Sequence, residues 1–181
     1  MKKIAIAAAI GAAMTATPAL AQEDTSDDMG GIKVGVVGGY DVISLEVATD
    51  TERESGVVYG LTAGWDIDTG DTIIGIEAEV SDTSISDDFG DAGLDIYGGL
   101  RLGLQVGEED LIYLKAGYSN VDIELADNLE GARVGVGYER SFGGVFGRLE
   151  YRYTTYNVSD VIAPSVNGNR NQVVLTLGGS F

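Results

Sequence analysis

The groups in this chain that could do chemistry are carboxylates, guanidiniums and ammoniums, and their spacing is even. Lys33 and Asp41, Glu77 and Glu79, Asp95 and Arg101, Arg133 and Glu139, and the trio Arg148, Glu150 and Arg152 are each separated by an even number of residues, with Lys115 and Asp66 on strands of their own. Even separations put side chains on one face of an extended strand. Groups of both signs on shared faces suit ion pairing, or the relay of an ion along the array. Other chemistries are removed by composition. The 181 residues contain no histidine and no cysteine, so imidazole-activated nucleophiles, His or Cys metal ligation and thiol chemistry are absent, and no Gly-x-Ser-x-Gly elbow is present. The run Asp66-Ile-Asp-Thr-Gly-Asp71 resembles a fragment of a calcium loop but lacks the correct Asp/Gly order, with Gly70 and Asp71 reversed at positions five and six, and reads as a turn. With 29 acidic residues against 11 basic ones, nucleic acid is excluded as a partner.

The elements that carry these groups alternate strictly. In residues 94–106, Leu94, Ile96, Leu100, Leu102, Leu104 and Val106 fall on one face, and Asp95, Tyr97, Arg101 and Gln105 on the other. Thirteen residues at ~3.3 Å each, tilted by ~40°, rise about 30 Å, enough to cross the apolar band of an outer membrane. The same pattern recurs at 32–42, 57–66, 73–81, 111–119, 132–139, 145–156 and 172–181. Short Gly/Asp turns (66–71, 107–110, 142–144) alternate with longer polar connections (43–56, 82–93, 120–131, 157–171). The prediction is an all-β chain, an eight-stranded antiparallel up-and-down transmembrane β-barrel over residues 32–181. Residues 1–21 read as a secretory signal peptide, with two lysines, a short apolar run and Ala19-Leu20-Ala21 as the cleavage site for Sec-type export. Residues 22–31 read as a loose periplasmic leader.

Alternation does not say which face meets the surroundings, because a soluble periplasmic ligand-binding barrel has an apolar interior. Three features favour a lipid-facing apolar side. That side carries no charge, and Arg or Lys at the bilayer midplane costs ~2–4 kcal/mol. The polar side is rich in glycine, which makes room for bulky neighbours in a narrow lumen. The aromatic residues of the apolar side lie toward strand ends, Trp65 and Tyr138 at the short-turn end and Tyr40, Tyr118 and Tyr153 at the other, as girdles at the two interfaces. The lumen then holds Lys33, Arg101, Lys115, Arg133, Arg148 and Arg152 with Asp41, Asp66, Glu77, Glu79, Asp95, Glu139 and Glu150. Near-balance of charge is what a filled interior requires. Such an interior serves either as a closed structural plug or as a narrow, gated path for ions.

The signal peptide, eight amphipathic strands, four long connections and a final strand ending in Phe181 together resemble the OmpA/OmpX-like outer-membrane β-barrel proteins, often labelled porin-family or opacity-type. The resemblance implies an outer-membrane location, contact with lipid and lipopolysaccharide, a monomer, no cofactor and no enzymatic activity. Lipid A-modifying barrels of similar size depend on a histidine that this chain lacks. In that family alternating apolar residues and a terminal aromatic in the last strand are read by the barrel-assembly machinery. Val173, Leu175, Leu177 and Phe181 match, while Gly179 stands where an aromatic often does. The expected role is structural, in envelope integrity or surface interaction, with a small channel for ions or small solutes as the alternative.

Overall fold

The computed structural model describes residues 29–47, 50–84, 86–87, 90–123, 129–157 and 167–181. The strands are β1 (Gly31–Val47), β2 (Asp50–Asp68), β3 (Thr72–Thr83), β4 (Ser86–Asp87), β5 (Gly90–Gln105), β6 (Asp110–Ile123), β7 (Leu129–Ser141), β8 (Val145–Asn157) and β9 (Asn167–Ser180). Apart from β4, a two-residue ladder on β5, they form a closed antiparallel ring in the order β1-β2-β3-β5-β6-β7-β8-β9. The ring closes where β9 pairs with β1, from Lys33↔Ser180 to Glu46↔Asn167. Closure leaves no open edge within the barrel wall, as a span through hydrocarbon demands of backbone groups.

Residue exposure decides which side faces out. Leu100 and Leu102 are 65% and 53% exposed, whereas Arg101 between them is 2% exposed. The same inversion holds around the ring: Ile76, Leu114, Val136, Leu149 and Leu175 are exposed while Glu77, Lys115, Glu150 and Arg152 are buried. A continuous apolar exterior over a charged interior is unstable in water and stable in hydrocarbon. This overturns the alternative of a soluble ligand-binding barrel.

One end is closed by short turns. Thr69 N–H donates to Thr72 O at 2.9 Å, Val106 to Asp110 at 2.9 Å and Phe142 to Val145 at 2.7 Å, with Gly70, Gly143 and Gly144 at positive φ. The two ends of the barrel chain meet here, Ile32 and Phe181 exchanging backbone hydrogen bonds of 2.9 Å.

The strands outrun the segments expected from alternation. Residues 43–47 and 50–56, expected in a long connection, continue the ladder through Ile43↔Glu54, Ser44↔Arg53 and Val47↔Asp50. Strand also replaces expected connection at both ends of 120–131 and in the last residues of 157–171. Hydrophobic contrast fades where both faces meet water, but backbone pairing needs no contrast, so the ladder continues unseen by periodicity. The expected signal peptide, and the expected leader as far as residue 28, lie outside the described residues. The last part of that leader is not loose. Met29 is 4% exposed, and Gly31 already belongs to β1.

Candidate functional site

The polar faces of the eight strands converge on the lumen and fill it with charge. All thirteen charged residues expected there, Lys33, Asp41, Asp66, Glu77, Glu79, Asp95, Arg101, Lys115, Arg133, Glu139, Arg148, Glu150 and Arg152, are buried. Sequence reasoning missed Arg170, which it left in the connection 157–171. The structure buries it at the start of β9, opposite Asp41 and Asp95. Its even spacing from Gln172, Val174 and Thr176 on the same inward face is the signal that extends the polar side of β9 to it.

From the short-turn end upward, the pairs form one unbroken alternation of sign. Lys33 Nζ lies 3.0 Å from Asp66 and also binds Glu139. Arg101 joins the same two carboxylates, reaching Glu139 at 2.6 Å. Arg148 donates from Nε to Glu139 at 2.9 Å and contacts Glu77. Lys115 then links Glu77 at 2.7 Å to Glu150 at 2.8 Å. Arg152 holds Glu150 on one side and grips Glu79 on the other with two parallel bonds of 2.6 and 2.7 Å. Such a planar fork on a carboxylate is a geometry lysine cannot make. Arg133 bonds Asp95, Ser119 Oγ at 3.0 Å and Thr154 Oγ1 at 3.0 Å, and lies 3.9 Å from Glu79. Arg170 closes the series, 2.8 Å from Asp95 and bonded through Nε to both oxygens of Asp41 at 3.0 and 2.9 Å.

Seven cations therefore meet seven carboxylates, and most pairs cross the lumen between strands that are not neighbours. Buried charge is tolerable only when it is paired and hydrogen-bonded, and each of these fourteen side chains has both kinds of partner, although Arg133 Nη1, 3.9 Å from Glu79, makes no hydrogen bond of its own. Aromatic rings fill the remaining space. Lys115 Nζ sits 4.7 Å and Arg133 5.0 Å from the centre of the Tyr97 ring, while Arg101 and Arg148 sit 4.9 and 5.2 Å from that of Tyr113. Tyr97 lies over Gly99 and Gly117, and Tyr113 over Gly137, positions where a Cβ would strike the rings. A void of about 10 Å³ between Lys33, Asp66, Arg101 and Phe146 is too small for more than one water. Among the described residues no group of acidic side chains is placed to hold a metal ion.

The outer wall carries the expected girdle residues. Tyr40, Trp65, Tyr118, Tyr138 and Tyr153 are all exposed on it. Tyr153 Oη donates to Asn169 at 2.9 Å and Tyr151 Oη to Asn171 at 2.7 Å near one end, and Tyr138 Oη donates to Asp110 at the other. Hydroxyls turned toward polar ends, with rings on the apolar band, are the interfacial arrangement. In the last strand Val173, Leu175 and Leu177 project outward, as does Phe181 just beyond it.

The neisserial surface protein NspA has a similar structure, at 14% identity and a TM-score of 0.55, covering 82% of this chain and 97% of that one. A de novo designed transmembrane β-barrel (14% identity, TM-score 0.47, 84% and 99% covered) also aligns with it. So does the Yersinia pestis attachment invasion locus protein Ail, solved with the heparin analogue sucrose octasulfate (10%, 0.45, 83% and 99%). Comparison with curated protein sequences gave no match. The likeness to NspA is one of fold. The outer membrane protein beta-barrel domain, by contrast, matches residues 5–181. Because that match takes in every strand of the ring, the chain belongs to this family, and its place is the bacterial outer membrane.

Proposed function

We propose that this barrel is a closed, non-conducting component of the outer membrane with a role in envelope integrity and surface interaction. The observation that carries the reading is the lumen itself, in which seven cations and seven carboxylates alternate along the barrel axis around a void of about 10 Å³. An ion entering this column must break pairs that have no water to replace them. No catalytic role is assigned, since the chain lacks histidine and cysteine and its buried charges neutralise one another. The barrel acts as a monomer held by lipid and lipopolysaccharide. After Sec-type export, Val173, Leu175, Leu177 and Phe181 present the signal for the barrel-assembly machinery, supported by their outward projection at the end of the chain.

A second reading, a small gated channel, draws on Glu139, which three cations share. Partners of this kind can exchange. Planar-bilayer recording on refolded protein tests both readings. The closed barrel gives no steady conductance, and neither Arg101→Ala nor Glu77→Ala creates one, whereas a wild-type current abolished or enlarged by either substitution establishes the channel.

A further inference from the structure

We infer that the chain seals its own short-turn mouth with Met29. The inference rests on the reading of the barrel as closed and adds the part that closes this end.

At this level β3 and β6 turn apolar side chains inward, beside Asp68, Gln105 and Glu139 of the neighbouring strands. Ile73 of β3 and Leu111 and Tyr113 of β6 face inward and are buried, and Met29 joins them in one buried cluster. Met29 enters from the β1 side, and the cluster it joins reaches β6, four places from β1 in a ring of eight, so these side chains together span the mouth. The backbone makes this crossing possible. Gly31 has φ +103°, and a Cβ there would strike the carbonyl of Phe181, so only glycine turns the chain back over the opening at this point. The Met29 N–H then donates at 3.3 Å to Asp68 Oδ2. Asp68 is already aimed, accepting from Gly70 N–H at 2.7 Å and from Gln105 Nε2 at 2.8 Å.

Tyr113 is the boundary between seal and column. It belongs to the apolar cluster of Met29, Ile73 and Leu111, while its ring takes the guanidiniums of Arg101 and Arg148. An unbranched, flexible thioether fills an irregular opening well and carries no polar group that would draw water in. Met29 thereby keeps periplasmic water and ions away from the first pairs of the column, Lys33–Asp66 and Lys33–Glu139.

The absence of cysteine makes a single introduced thiol a clean reporter. Leu111→Cys, refolded in detergent and shown to be folded by its heat-modifiable gel mobility, is treated with a water-soluble maleimide, alone and combined with Met29→Asp or the milder Met29→Ala. The seal predicts slow labelling with Met29 in place and labelling about tenfold faster in either combination, since reactivity follows the open population. Equal rates in folded Leu111→Cys proteins with and without Met29 overturn the seal. Bilayer recording on the same proteins keeps the two readings apart. Fast labelling without current means the seal is lost and the column still closed, whereas current in the presence of Met29 rejects the closed barrel itself.

Discussion

At the scale of single residues, the decisive contrast is between charges that share partners in the lumen and charges that pair on the surface. Glu139 is fully buried and holds Lys33, Arg101 and Arg148, though each of these cations keeps a second carboxylate. Glu139→Gln leaves three buried cations one negative charge short and is expected to lower unfolding stability by roughly 3 kcal/mol. Arg140 makes a comparable set of contacts at the exposed short-turn rim, with Glu109 at 3.3 Å and Asp110 at 3.7 Å. Arg140→Ala is expected to cost less than about 1 kcal/mol, because solvent screens the pair. Urea unfolding of vesicle-inserted protein, followed by the fluorescence of the single tryptophan, Trp65 on the outer wall, measures both. Similar losses for the two variants would show that the column adds nothing beyond surface pairing.

Strands have two faces, and the same substitution has opposite consequences on each. In the β5–β6 register Gly98 lies opposite Tyr118, and its neighbour Gly99 lies opposite Gly117. A Cβ on Gly98, on the outer face, meets nothing within 4 Å, while one on Gly117 meets the backbone carbonyl of Gly98 and lies 2.8 Å from the Tyr97 ring. Gly117→Ala is therefore expected to destabilise by about 1–3 kcal/mol. Gly98→Ala is expected to stabilise by about 0.5 kcal/mol through the unfolded chain. Parallel urea titrations check the sign of each, and a neutral Gly117→Ala would mean that Tyr97 can move without loss. Legibility also has its limits at this scale. The alternation of Asp95, Tyr97 and Arg101 with Ile96, Leu100 and Leu102 marks β5 plainly, yet Arg170 escapes notice. It lies where Asn167, Asn169 and Asn171 supply no apolar contrast, although β1 and β8 pair with that stretch on both sides.

For the whole molecule, charge is partitioned by location. Among the described residues the ion-pair column is neutral, seven cations against seven carboxylates, so it contributes nothing to the net charge of −18. Of the basic residues, only Arg53 and Arg140 lie on the outer surface among the described residues. A barrel with acidic ends is repelled by an anionic bilayer, and salt screens the repulsion. Folding yield into phosphatidylglycerol vesicles at low ionic strength is expected to fall several-fold below that into phosphatidylcholine, and the gap to close near ~0.5 M salt, where the Debye length is only a few ångströms. Gel mobility shift measures the folded fraction. A gap that persists in high salt would place the difference in bilayer packing and not in charge.

The amino-acid sequence by itself determined the number of membrane-crossing strands, the face each presents to lipid and, Arg170 apart, the charged residues that line the lumen, because all three are written in a period of two that hydrocarbon enforces. Only the tertiary structure decided who pairs with whom across the lumen, that Arg170 joins the column, and that Met29 folds back over the mouth. Those outcomes depend on ring closure, which brings together strands four places apart in the ring, and no local pattern along the chain encodes that distance.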